Sequence, residues 1–260
     1  MAAVRTLRRS LALLPVAAVL LLWEGLARAG IVSDFLLPRF TVVAGRIAED
    51  AARGVLAIDI ATTVVRALCG FAIAAVAGTT VGIAMVRSGW VRWFFDPIIS
   101  VGFPTPKIAL LPIFMLWLGL GDASKITMVA VACFFVIASN SFAGASGVDR
   151  QLVWSAKSLG ASERAILTEI ILPAATPQVV TGLQIALPIA LIVTLVTEMI
   201  LAGGGLGGQL LEAQRFADSV GIFAAIVEIA IAGTLLIHGV RLARRRLLRW
   251  HEESRGGAAG

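Results

Sequence analysis

The sequence predicts an all-α, multi-pass membrane protein, a polytopic bundle of about six transmembrane helices. Three observations carry that reading. The 260 residues are 58% hydrophobic and 15% charged, with a mean hydropathy of +0.93, outside the range of ordinary soluble domains. Uncharged runs over 67–86, 126–148 and 170–197 each reach the ~20 helical residues that cross a hydrocarbon core. None of them alternates polar and apolar residues as the strands of a membrane barrel would.

The first span is predicted over 11–27. Arg5, Arg8 and Arg9 precede it in the manner of a signal peptide, but no small-x-small cleavage site follows Trp23 and Arg28 stands where processing would fall, so an uncleaved helix is expected. A long connection follows, in which the mixed apolar and charged stretch 42–60 reads as an interfacial amphipathic helix leading into the second span, 64–86. The third span, 97–118, contains Pro104, Pro106 and Pro112, and such helices are kinked or broken, freeing backbone groups to line a cavity. The fourth covers 126–146. A second long connection, 147–180, holds two short helices meeting at Gly160, where glycine permits a sharp reversal. Leu152, Ala156 and Leu159 share one face of the first, Ile166 and Ile170 one face of the second, and Pro173 is expected to end it. After the fifth span, 181–201, the run from Gly203 to Gly208 reads as a flexible external turn or gate, because no Gly-Lys-Ser or Gly-Lys-Thr follows. The sixth span is 220–240, and the arginines over 241–249 read as an anchor at an anionic leaflet.

The net charge of +6 is distributed for orientation and not for nucleic acid. Basic residues concentrate at both termini and in the gaps that share a side with them, which places both termini in the cytoplasm. Cys69 and Cys133 lie inside apolar runs without a second Cys or His at ligand spacing. They read as helix-packing residues, with no metal site. His238 and His251 are isolated, and no cluster of nucleophile, His and carboxylates suits a membrane-embedded lipid enzyme. No catalytic residue is therefore expected.

An ionisable group at the centre of a membrane helix costs about 2.5–3.5 kcal/mol on insertion scales, so Lys107, Glu198 and Glu228 need reasons. With Pro104 and Pro112 they are candidates for a translocation path or gate. Lys107 either attracts an anionic solute, or snorkels or pairs with Glu198 or Asp122. Glu198 is either a hydrated residue at a helix end or a gate or cross-helix partner. Glu228 is the deeper, and is expected to pack against another helix or a polar cavity.

The segment Trp154-Ser155-Ala156, then Gly160, Ile170 and Leu172-Pro173, resembles the loop signature of bacterial binding-protein-dependent ABC transporter permeases. That signature is Glu-Ala-Ala, three residues, Gly, nine residues, Ile, one residue, Leu-Pro. Every spacing from Gly160 onward matches, whereas Trp154 stands in the position of the family's glutamate. Residues 104–125, and Glu198-Met199 with Gly205-Leu206-Gly207, are similar to permeases for nitrate, sulfonate, taurine and related small solutes. The similarity covers 59–246.

The resemblance implies a type I ABC importer permease domain over 58–246, preceded by a first helix and external connection, 1–57, and followed by a basic tail, 247–260. In the family the loop seats in a cytoplasmic ATPase. Carried over, Ala156, Ser158, Leu159 and Gly160 dock, Trp154 replaces the lost glutamate, and Ile170, Leu172 and Pro173 complete the loop. The implied partners are ABC ATPase subunits that use ATP and Mg, a periplasmic or lipid-anchored solute-binding protein, and a second permease copy or homologue, in the lipid of a bacterial inner membrane. This chain would bind no cofactor, and it carries no Walker A pattern. The implied solute is a small anion such as an aliphatic sulfonate, taurine or a nitrate-like ion. The alternative, an ion-gradient-driven secondary transporter, favours inverted repeats, and 104–112 has no clear counterpart in the second half.

Overall fold

With no water in a bilayer core, backbone donors and acceptors must be satisfied within each segment, and the apolar runs accordingly form helices. The computed structural model describes residues 2–247, with side chains described over 14–239. Its helices are α1 (Ala2–Arg28), α2 (Phe40–Ala52), α3 (Val55–Arg87), α4 (Gly89–Gly102), α5 (Leu111–Leu118), α6 (Asp122–Ser146), α7 (Arg150–Ser158), α8 (Glu163–Ala165), α9 (Leu172–Leu201), α10 (Gly205–Arg215) and α11 (Ser219–Leu247). A 3-10 turn, Lys107–Leu110, leads into α5, and a π-helical turn, Ile166–Ile171, joins α8 to α9. There is no strand among the described residues.

Predicted spans two, four, five and six are helices long and apolar enough to cross a membrane, and the third is a bent pair. The first lies within α1. At the centre, α6 is sandwiched between α3 and α9. Lipid tails are as apolar as leucine, so close backbone approach, and not apolar burial, must hold such helices together. Small residues supply it. Gly70, Ala74, Gly78 and Gly82 recur every four positions along one face of α3. A Cβ on Gly70 would stand 2.6 Å from Val129 Cβ, and one on Gly82 2.5 Å from the Ala138 carbonyl oxygen. On the other side of α6, a Cβ on Gly182 would stand 2.6 Å from Asn140 Cβ. Cys133 is buried there and its thiol donates to the Ala186 carbonyl. Cys69 is exposed on α3, so the packing role expected of it is not observed within the chain.

Four boundaries differ from the sequence expectation. The second span starts at Val55, because the break falls at Arg53–Gly54 and residues 55–60 of the supposed interfacial stretch join α3. The third starts at Gly89 instead of Pro97, and it is broken as its prolines predict: α4 and the segment Lys107–Leu118 meet at 103°. Pro104 and Pro106 remove amide donors where the chain bends. The fifth extends back to Glu163. Pro173 does not end the second loop helix: the helical run continues through it, and the wide π turn Ile166–Ile171 stands just before it, where the i to i−4 ladder is already interrupted. Finally, Gly205 to Gly208 are the first residues of α10, not part of a turn. The tail from residue 248, with Arg249 and His251, lies outside the described residues, as do the side chains of Arg5, Arg8 and Arg9.

Candidate functional site

The predicted site residues fall at three places: the Gly160 loop before α9, the bend before α5, and the far end of α9. Arg87, at the end of α3, donates to the Glu163 carbonyl at 3.0 Å, so the end of α3 and the Gly160 loop share one face of the bundle.

The loop is held together by its own backbone. Asp149 caps α7 by accepting from the Gln151 amide at 2.8 Å, and Ser162 caps the next helix by accepting from Ala165. Between them, the Ala161 amide donates to the Ala156 carbonyl and the Gly160 amide to the Lys157 carbonyl, both at 3.0 Å. That pair of bonds is a Schellman closure, and it needs Gly160 at φ +83. Lys157 Nζ reaches Glu163 at 2.7 Å across the hairpin. Apolar side chains remain outside: Leu159 is 88% exposed and Trp154 63%. They line an open concavity with Gln151, Ser155 and Ser158. Ala156 and Ile170 are half-buried, Leu172 begins α9 and Pro173 is exposed.

At the bend, Pro104 and Pro112 are exposed, and Pro112 occupies the first turn of α5. Lys107 opens the 3-10 turn. Its ammonium donates to the Phe103 carbonyl and lies 5.5 Å from the ring centroids of Phe103 and Phe135. It has no carboxylate in ion-pair contact among the described residues, so the expected pairing with Glu198 or Asp122 is not formed.

Both carboxylates are taken by Arg66, which the sequence reading did not place in a site. Its guanidinium reaches Glu198 Oε1 at 2.8 Å and Asp122 Oδ1 at 2.7 Å, and donates to the carbonyls of Gly203 at 2.8 Å and Gly204 at 3.1 Å. Glu198 is 0% exposed, which rules out the hydrated helix end and establishes the cross-helix pair. It also accepts from Thr63 Oγ1 at 2.9 Å and from the Gly207 amide at 3.1 Å. The Gly205 amide donates to Asp59 at 3.0 Å and the Leu206 amide to Thr63 at 2.9 Å. Three donors in the first turn of α10 are thus capped from α3 and α9, with negative charge at the positive end of the helix dipole. Lys125, 1% exposed, points its ammonium at the Gly203 carbonyl, 3.5 Å away.

The glycines of this segment are a packing requirement. A Cβ on Gly205 would lie 2.4 Å from Glu198 Oε1, one on Gly203 2.5 Å from Lys125 Nζ, and one on Gly207 2.4 Å from the Leu195 carbonyl. The flexible turn or gate expected from five near-consecutive glycines is instead pinned at Gly203, Gly205 and Gly207. Glu228 is 1% exposed on α11 and lies against Gln209 of α10 without closing a hydrogen bond of ordinary geometry. The structure therefore buries it between helices, in keeping with the expectation that it packs against another helix or a polar cavity.

Arg66 was legible only as a charge inside a predicted span. That was the available signal, since an ionisable residue at such depth needs a partner.

A bundle with a bent third span and a hairpin loop before the fifth is the architecture of an importer permease. The chain belongs to the binding-protein-dependent transport system inner membrane component family, whose model matches residues 60–250. It is 34% identical to the taurine transport system permease protein TauC of Escherichia coli (strain K12), over 91% of this chain and 88% of that one. It is 31% identical to the SsuC permease of Bacillus subtilis (strain 168), named for aliphatic sulfonates transport, over 94% of this chain and 88% of the relative. Among solved structures, an amino acid ABC transporter aligns with a TM-score of 0.62 at 16% identity, covering 76% of this chain and 97% of that one.

Proposed function

We propose that this chain is the path-forming permease subunit of an ATP-driven importer for small anions, sulfonates first, and that it is coupled to a separate ATPase through the Gly160 loop. The observation that carries the coupling is the loop itself: a rigid, backbone-closed hairpin that presents Trp154 and Leu159 with no cover from its own chain. Exposed apolar side chains rimmed by polar ones mark an interaction surface. Closure of the partner ATPases on ATP and Mg would push this hairpin. The continuous run from Glu163 to Leu201 would carry that displacement across the membrane without a hinge loop.

The loop face then lies in the cytoplasm with both termini, and the opposite face receives the solute-binding protein. Two permease subunits surround the path. The substrate class rests on the relatives' names and on Lys107, a cation without a carboxylate partner at a broken helix. Such a cation can pair with a sulfonate, and replacing it with glutamine is expected to lower uptake about tenfold, equivalent to about 1.4 kcal/mol.

The test is uptake of labelled taurine into liposomes containing this chain with its ATPase and binding protein. ATP-dependent uptake competed by other sulfonates is the expected result. Competition by cations or neutral sugars alone would refute the anion assignment, and uptake driven by an ion gradient without ATPase would establish the secondary transporter instead.

A further inference from the structure

We propose that Arg66 is the positioning residue for α10, and that with Glu198 it locks this helix over the end of α9 opposite the Gly160 loop, keeping the path closed on that face while the ATPase is idle. The inference rests on the importer reading for the word closed, but the positioning itself is read from contacts. Arg66 meets α6 through Asp122, α9 through Glu198 and the connection to α10 through the Gly203 and Gly204 carbonyls, and no other side chain among the described residues does so. Its backbone belongs to α3, which packs on α6 through Gly70, Gly78 and Gly82. Four elements are therefore tied at one guanidinium.

The donor geometry explains why arginine is needed. Four acceptors in different directions are met by a planar fork of five N–H groups, whereas an ammonium has three donors at one point. The charges oppose one another as well: Arg66 and Lys125 face Glu198, Asp122 and Asp59, and the Gly205, Leu206 and Gly207 amides are aimed into the same cluster. Ala202, which precedes the cluster, holds φ +40, a conformation a non-glycine residue keeps only where its surroundings hold it there. A connection fixed by so many directed contacts has one position, and a helix attached to it has one seat.

The variants are Arg66→Lys and Glu198→Gln, because each keeps most of the side-chain volume and Arg66→Ala can fail to fold. Hydrogen exchange on the purified protein reads the Leu206 and Gly207 amides against those of α6. Taurine efflux from liposomes holding the complex without ATP reads closure. Exchange at Leu206 and Gly207 is expected to rise roughly tenfold or more in both variants while α6 is unchanged, as local opening requires, and efflux to rise with it. Unchanged exchange in folded variants would overturn the positioning role, and faster exchange without efflux would overturn the closure. A wild-type complex that shows no ATP-driven uptake would instead refute the importer reading. The exchange result refers to α10 alone, so the two failures are distinguishable.

Discussion

The two ends of the run from Glu163 to Leu201 solve opposite problems. At one end the Gly160 loop satisfies its backbone internally and leaves large apolar side chains uncovered. At the other, the Gly203 to Gly208 segment packs against buried charged side chains, of which Arg66 and Glu198 are paired and hydrogen-bonded within the chain. The first was readable as two short helices meeting at a glycine, the second as a flexible glycine turn or gate. The difference lies in what surrounds the glycines: nothing lies within 4 Å of a Cβ built on Gly160, whereas one built on Gly205 meets the Glu198 carboxylate. A glycine that only serves a backbone conformation belongs to a surface that something else completes. A glycine crowded by buried charge belongs to a joint that is already complete.

The largest effect expected from this contrast is at Glu198. Replacing it with alanine removes the buried partner of Arg66, which keeps Asp122 and the two glycine carbonyls, and leaves the Thr63 hydroxyl and the Gly207 amide without their acceptor; breaking such a buried pair costs up to about 3–5 kcal/mol. Thermal melting in detergent checks this, and a melting curve close to wild type would break the comparison. Next is the pair of glycines. Gly160 and Gly205 both hold positive φ, at +83 and +82. Alanine at Gly160 meets only the backbone penalty of about 1–2 kcal/mol. At Gly205 the same penalty is joined by the clash with Glu198, so the Gly205→Ala protein should melt well below the Gly160→Ala protein. Equal melting temperatures would show that the far end is looser than its contacts imply.

Trp154→Ala and Leu159→Ala should change the unfolding free energy by no more than the ~0.5 kcal/mol of ordinary surface substitutions, read as a nearly unchanged melting curve. The same changes should abolish ATP-driven uptake. Stability loss without loss of uptake would reverse the assignment of the loop. Smallest is Lys157→Ala. Its bond to Glu163 joins two exposed side chains, so the melting temperature should barely move, and the difference should shrink further with added salt.

How much of this could be read beforehand follows from how far each feature reaches along the chain. The two short helices meeting at Gly160 were legible because that signal is local: a glycine reversal between two short apolar faces. The misreading that Pro173 ends the second came from treating proline as a stop where a π turn lets the helical run continue. The third span was expected to be kinked or broken, but its angle is set by how Leu110 and Leu111 pack on α6 and α9, which no local pattern contains. The Arg66–Glu198 pair joins residues 132 positions apart, so the sequence offered two separate charges and several candidate partners. Lys107 was a reasonable partner for Glu198 on depth alone. Arg66 won because its position on α3 brings it between Asp122 and Glu198 at once.

The central claim is that the uncovered end of the run is completed by an ATPase. The most direct measurement is gentle detergent extraction of the tagged protein from its membrane, with the co-purifying chains identified for wild type and for Leu159→Asp. The substitution places a charge on an 88% exposed side chain and leaves the buried network at the far end untouched. An ATPase recovered with wild type and lost from the folded variant is the predicted result. An ATPase held equally by both, or absent from a transport-competent wild-type preparation, would contradict the account.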